Sequence, residues 1–348
     1  APDDWDANPW LLNCQNGTIN LKTGKLQPFN KADYITRICN ASFDENCTTP
    51  LWDTLLETIT KSDADTIRYM QKALGYALTG DTSEQAMFML YGTGSNGKST
   101  FLNIFSAVMN TYAQSASSDA FMQKKNESVN NDIARLKGAR FVTAIEMEEN
   151  KRLAESLIKS MTGGDKLVTR FLYGEYFEYV PQFKVFLTAN HKPIIRDTTH
   201  SIWRRIKLMP FENTFTEANR DKHFADKIMA KEMPGILAWA VKGCLLWQRE
   251  GIQDPPSVKR ATTEYRTEMD SFATFFEECC EAREGVRVSN KMLRSSYDEW
   301  CKDNGEYALS QRPFSQKLLE MGFEKKRSAS TGAVEWIGLS IRGVASRL

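Results

Sequence analysis

Phe88-Met89-Leu90-Tyr91-Gly92-Thr93-Gly94-Ser95-Asn96-Gly97-Lys98-Ser99-Thr100 runs from an apolar segment into a glycine-rich loop. Phe88 to Tyr91 is the kind of run that makes a buried strand. Gly92 to Ser99 fits Gly-x-x-x-x-Gly-Lys-Ser, and Phe101-Leu102-Asn103-Ile104-Phe105 has helical apolar spacing. Strand, glycine loop and helix in that order form the setting in which this pattern binds phosphate. Gly92, Gly94 and Gly97 let the backbone curl so that its N–H groups face a polyphosphate, and the helix adds its positive end. Lys98 reaches the β- and γ-phosphates and Ser99 holds Mg²⁺, with Thr93, Ser95, Asn96 and Thr100 completing the contact set. The stretch implies a nucleoside triphosphate and Mg²⁺, and leaves open what the nucleotide drives.

Downstream, Arg140-Phe141-Val142-Thr143-Ala144-Ile145 is a β-branched apolar run ending in Glu146-Met147-Glu148-Glu149. Carboxylates at the C-terminal end of a strand are where α/β sheets place chemistry, and a P-loop enzyme needs one for Mg²⁺ and the attacking water. Phe183 to Ala189 reads as a buried strand with Asn190 at its end. If that strand neighbours the P-loop strand, Asn190 sits beside the γ-phosphate, where its amide orients water; alone, Asn190 before His191-Lys192-Pro193 is turn chemistry. Arg204-Arg205 precede the strand Ile206 to Phe211, and such a pair by itself reads as solvated surface charge.

Residues 155–163 form a helix ending at Gly163-Gly164, and Asp165 to Pro181 reads as two strands around a turn near Tyr173-Gly174. Lys166 and Arg170 interleaved with Phe171 and Tyr173 suit a loop that touches phosphates and stacks on bases. Alone, the segment reads first as a half-buried hairpin with aromatic packing.

Upstream, Asn16-Gly17 between alternating runs predicts a small antiparallel meander over residues 11–29. Thr49 to Leu78 turns helical, with Pro50 opening one helix and Ser62 or Asp63 capping a second. Asp63 and Asp65 also raise the question of a metal-binding carboxylate pair, although acids in a capped first turn explain them better. Residues 217–250 are helical, and Gly251 to Ser257 has linker composition. Three helices and two strand-like pieces then suggest a winged helix, with Gln311, Arg312, Gln316 and Lys317 toward a groove and Lys325-Lys326-Arg327 on the wing. A packing or partner-binding module is the alternative, since the local charge is nearly balanced.

The whole chain of 348 residues is balanced too, with 45 Lys+Arg against 44 Asp+Glu, so any nucleic-acid contact comes from local patches. Seven scattered cysteines without zinc spacing read as reduced thiols of a cytoplasmic protein. No long apolar run or signal peptide points to a membrane or to secretion. The start at Ala1-Pro2-Asp3, without methionine, hints at a processed or excised fragment.

Taken in order, Leu74-Gly75-Tyr76-Ala77-Leu78-Thr79-Gly80, the loop from Leu90 to Thr100, Thr162-Gly163-Gly164-Asp165, Leu187 to Pro193 and Trp203-Arg204-Arg205-Ile206 resemble the superfamily 3 helicases. The likeness is to the helicase part of phage and plasmid primase-helicases related to the poxvirus primase-helicase, and it covers nearly the whole chain. The resemblance implies an α/β fold with an AAA+-like P-loop ATPase core, in a ring that is commonly hexameric and shares ATP sites between subunits. It makes Lys98 and Ser99 the phosphate and Mg²⁺ residues, Glu146 the Walker B acid, Asn190 the sensor and Arg205 the finger into the neighbouring subunit. Glu148 is a second candidate for polarising the water. The hairpin around Arg170–Gly174 becomes a pore loop on one DNA strand.

The expected organisation is an N-terminal hairpin and helical subdomain over 1–82, the core over 83–250 and a C-terminal winged helix over 251–348. The expected activity is ATP- and Mg²⁺-dependent translocation on single-stranded DNA, 3′ to 5′ by family analogy. It would unwind forked DNA during replication of a phage, plasmid or other mobile element, with a primase domain or protein as a possible partner. The rivals are an ATP-dependent replication initiator or loader and a small-molecule kinase on the same loop.

Overall fold

The computed structural model describes residues 5–123, 131–145, 151–197, 199–216, 221–328, 330 and 332–342. The chain divides into two compact units, Ala1–Tyr265 and Arg266–Leu348.

The first unit begins with an antiparallel sheet of β1 (Leu11–Cys14), β2 (Gly17–Asn20) and β3 (Lys25–Gln27). α1 (Pro50–Thr60) follows, with proline at its start and the carboxylate of Glu232 accepting from the N–H groups of Leu51 and Trp52 at 2.9 and 2.8 Å. α2 (Ala64–Leu78) is capped by Asp63, which accepts from the N–H groups of Asp65 and Thr66 at 3.1 and 3.4 Å. The carboxylate of Asp63 therefore satisfies a helix end.

The chain then lays down β4 (Met87–Tyr91), α3 (Lys98–Met109), β5 (Ala113–Ser117), α4 (Asn131–Ala134), β6 (Phe141–Ile145) and α5 (Glu155–Gly163). β7 (Leu167–Thr169) and β8 (Phe177–Tyr179) pair antiparallel beside it. β9 (Lys184–Ala189), α6 (His200–Trp203), β10 (Ile206–Pro210), α7 (Phe224–Lys231), α8 (Met233–Glu250) and α9 (Pro256–Glu268) complete this part of the chain.

Five of these strands form one parallel sheet in the order β10-β4-β9-β6-β5. β4 and β9 are almost wholly buried apolar runs, as expected of parallel strands covered on both faces. The sheet is α/β in the sense read from the sequence, and β9 is the direct neighbour of the P-loop strand.

The segments on either side of the sheet share its core. Leu12, Trp52, Leu74, Phe88, Phe105, Ala240 and Val258 belong to one buried cluster. α2 lies against α8 at glycine contacts: a Cβ on Gly75 would fall 2.1 Å from the backbone nitrogen of Cys244, and one on Gly243 would fall 2.0 Å from the carbonyl oxygen of Gln71. Two buried cations close the other end of α2. Arg140 donates to the carbonyl of Leu78 at 2.8 Å, and the Lys184 amine donates to the carbonyls of Thr79 and Asp81. Cations there complement the negative end of the helix, and burial drives the Lys184 pKa well down. Gly251 to Ser257 has linker composition, yet Ile252 and Val258 bury in this core.

The second unit holds α10 (Ser271–Cys279), β11 (Cys280–Ser289), α11 (Asn290–Asp303), α12 (Gln311–Glu320), β12 (Glu324–Arg327) and β13 (Val334–Ile341). Its sheet is antiparallel in the order β11-β13-β12, and Phe272, Tyr297, Phe314 and Trp336 make its own core. All seven cysteines are free thiols. Among the described residues no helix is long and apolar enough to cross a membrane.

Candidate functional site

β4 ends at Tyr91 and the loop begins at once. Gly94 and Gly97 have φ of 104° and 85°, and a Cβ on Gly92 would lie 2.2 Å from Asn96 Nδ2 and 2.4 Å from the Phe211 carbonyl oxygen. Glycine is therefore required at Gly92 by crowding and at the other two by conformation. Ser95 also takes a positive φ, 47°, and its backbone and hydroxyl both bond to Phe215. Among the described residues, the N–H groups of Gly94, Ser95, Asn96 and Gly97 donate to no protein acceptor. They gather at the N-terminus of α3 and form a cradle suited to phosphate oxygens.

Lys98, 5% exposed, opens α3 and turns its amine back over this cradle. Its Nζ donates to the Gly92 carbonyl at 2.6 Å, to Asn96 Oδ1 at 2.9 Å and to Asn190 Oδ1 at 3.1 Å. None of these acceptors carries charge, and burial draws the amine pKa down to about 8. A buried ammonium without an anionic partner favours an incoming polyphosphate.

Asn190 arrives through sheet pairing. Ala189 is level with Tyr91 in the parallel register, and the Gly92 N–H donates to the Ala189 carbonyl at 3.2 Å. On the other side Asn96 Nδ2 donates to the Phe211 carbonyl at 3.3 Å, and the Phe211 N–H to Tyr91 at 2.7 Å. The exit of β10 thus braces the loop, a role for Phe211 and Phe215 that carries no signal in the sequence. Thr93 on the loop and Ser99 in the first turn of α3 are exposed and Thr100 is half-buried, so the Ser99 hydroxyl is accessible to a Mg²⁺ ion. Glu146 and Glu148 lie outside the described residues; Ile145 before them ends β6, on the far side of β9 from β4. A cavity of about 220 Å³ opens beside Gly92 and Thr93, with Lys192, Phe211, Arg260 and Glu264 among its walls.

Arg205 stands elsewhere. It precedes β10, whose Ile206 is level with Met87, so it lies at the N-terminal edge of the sheet while the P-loop lies at the C-terminal edge. The five-residue length of β4 puts roughly 16 Å between those edges. Arg205 is 8% exposed, with Nε donating to Thr162 Oγ1 at 3.0 Å and Nη1 to the Ser201 carbonyl at 2.5 Å. Its guanidinium cannot serve the phosphate cradle of its own chain. Arg204 is exposed and bonds to Gln85.

The hairpin of β7 and β8 carries a tip of exposed apolar side chains. Tyr173 is 97% exposed at a φ of 63°, Leu172 is 66% exposed and Phe171 stacks on Phe177 at 5.4 Å. Arg170 lies over the Tyr176 ring at 4.8 Å, and Lys166 pairs with Glu178 at 3.6 Å. In the second unit Arg312 is exposed, whereas Lys317 is ion-paired with Asp270 and covers the Phe272 ring.

The ends and the middle of the chain each match a family model: D5 N-terminal-like over residues 1–61, a family of unknown function (DUF5906) over 90–205, and poxvirus D5 protein-like over 267–335. The chain is similar to poxvirus D5 proteins in both of its end segments. Among curated proteins it is similar to one of Acanthamoeba polyphaga mimivirus that bears a helicase name, L207/L206, at 26% identity over 86% of this chain and 34% of that protein. A Frog virus 3 protein, also with a helicase name, is 28% identical over 76% of this chain and 29% of its own length. Primase D5 of fowlpox virus is 24% identical over 63% of this chain and 29% of that protein. The chain thus spans about a third of the length of the curated relatives it matches. Among solved structures, the NrS-1 C-terminal region in its apo form is similar in fold, with a TM-score of 0.55 and 11% identity over 86% of this chain and 78% of that one.

Proposed function

We propose that this chain hydrolyses ATP with Mg²⁺ at the loop 92–100 and couples hydrolysis to movement along single-stranded DNA, unwinding forked duplex during replication of a viral or other mobile element. The observation that carries the proposal is the bond from Lys98 to Asn190, which joins the start of α3 to the end of the central strand β9 over a cradle of N–H groups. Lys98 and Ser99 take the triphosphate and its metal, and Asn190 orients the attacking water. Glu146 or Glu148 polarises it. Arg205 supplies positive charge to the site of a neighbouring subunit, which its distance from its own cradle supports, within a ring that the resemblance makes hexameric. The β7–β8 hairpin grips one DNA strand, and the polarity carried over from the family is 3′ to 5′. The second unit acts as a winged helix on duplex DNA, with the exposed Arg312 among its contacts. Helicase and primase names among the relatives support a role in replication.

The test is the ATPase rate with and without single-stranded DNA, together with strand displacement on a forked duplex. Stimulation by DNA and displacement that disappears in Lys98→Ala are the expected results. DNA-dependent hydrolysis without displacement would leave the initiator or loader reading instead.

A further inference from the structure

α5 turns one face toward the segment that carries Arg205. Glu155, Lys159 and Thr162 are spaced i, i+4 and i+7, which places them on one side of a helix. Glu155 and Lys159 hold that segment around Asp197, and Thr162 holds it at Arg205. The Glu155 carboxylate accepts from the N–H groups of Arg196 and Asp197 at 2.7 and 3.2 Å, the Lys159 amine pairs with Asp197, and Thr162 accepts from Arg205 Nε at 3.0 Å. The Thr162 hydroxyl proton is committed to the Ile158 carbonyl at 2.7 Å, so its oxygen is turned as an acceptor toward the arginine. Immediately after Thr162 come Gly163 and Gly164, the latter at a φ of 80° with open space around it, and then Lys166 and β7. One short helix therefore grips the arginine segment on its side face and feeds the hairpin from its end.

We propose that Thr162 is a positioning residue that ties the direction of the Arg205 guanidinium to the position of the β7–β8 hairpin, so that DNA held by the hairpin alters hydrolysis through Arg205. The inference rests on the functional reading above and adds to it the route by which DNA reaches the ATP site. Glu155 and Lys159 fix the helix to the arginine segment, and the Thr162 hydroxyl holds the guanidinium at Nε while the Ser201 carbonyl, from the arginine's own segment, holds it at Nη1, so Thr162 is the bond that ties its direction to α5.

The experiment measures ATP turnover with and without single-stranded DNA for the wild type, Thr162→Val, Thr162→Ser, Arg205→Ala and the Thr162→Val/Arg205→Ala double variant, with melting temperatures for each. Small misplacement of a catalytic group costs on the order of 10²-fold. Thr162→Val should therefore lower DNA-stimulated kcat by about 10- to 100-fold at unchanged KM for ATP, and Thr162→Ser should stay near wild type. Adding Thr162→Val to Arg205→Ala should cost nothing more, because the group it orients is already gone. That background also lacks the Nε donor that valine would leave unpaired, so it guards the test against simple misfolding. Additive losses in the double variant, or Thr162→Val with wild-type DNA stimulation, overturn the proposal. A wild type that hydrolyses ATP without any response to DNA overturns the functional reading itself, whatever the variants do.

Discussion

Lys98 Nζ and Asn190 Oδ1 are 3.1 Å apart, joining the first residue of α3 to the residue that follows β9. The contact marks the spot where a terminal phosphate would meet both a cation and an amide. Asn190→Ala should leave the fold intact, since Asn190 is exposed, and lower kcat on the order of 10²-fold, the usual size of losing a group that handles the water. ATPase kinetics beside a melting curve decide it. A variant with wild-type kcat would remove Asn190 from the reaction.

The same amine makes a prediction about pH. Burial lowers its pKa to about 8, below the ordinary lysine value near 10.4. Between those values the folded chain holds fewer protons than the unfolded one, so this lysine's contribution to stability rises with pH across the window. Binding of ATP goes the other way because it needs the ammonium form. Affinity should be flat below pH 8 and weaken about tenfold per unit above it. Titration of a non-hydrolysable ATP analogue from pH 7 to 9.5 measures this, and a flat profile would contradict it.

Because Arg205 sits at the opposite edge of the sheet from its own cradle, two inactive variants should rescue each other. Arg205→Ala alone should lose about 10³–10⁵-fold in rate, the range for arginine fingers. Mixed with Lys98→Ala in equal amounts, it should recover roughly a quarter of the intact interfaces if subunits meet head to tail. A mixture no more active than its components would argue against shared sites.

Tyr173 stands almost fully in solvent, so Tyr173→Ala should not shift the melting temperature. It should weaken binding of single-stranded DNA by about 1–3 kcal/mol, the value of one base stacked on an aromatic ring. Fluorescence anisotropy with labelled oligonucleotide tests this, and unchanged affinity would take the tyrosine out of the interface.

The shape of the glycine loop was legible in the sequence because Gly92 to Ser99 encodes it locally, and the position of Asn190 followed from one pairing, β4 with β9. Other parts were hidden for physical reasons. β5 is built of Ala113-Gln114-Ser115-Ala116-Ser117, small and polar residues with weak strand preference at a sheet edge. β11 runs through Glu281, Arg283, Glu284 and Arg287, and only pairing with β13 makes it a strand. The contacts of Thr162 and Asn96 depend on the ends of β10, far away in sequence, and no local pattern announces them. The lysine at 317 reads as free for a groove, but its partner Asp270 caps α10, 47 residues earlier in the chain.

The meeting of Gly75 with Gly243 also bears on how the protein is made. Gln71, one turn before Gly75, hydrogen-bonds to Trp239 across 168 residues of chain. At about 5–20 residues per second of synthesis, α2 therefore waits on the order of 10–30 s for the helix that covers it. During that wait Leu74, Tyr76 and Leu78 have no lasting cover. The first unit is thus an object that closes late, with α2 meeting its α8 cover only near the end of that unit's synthesis.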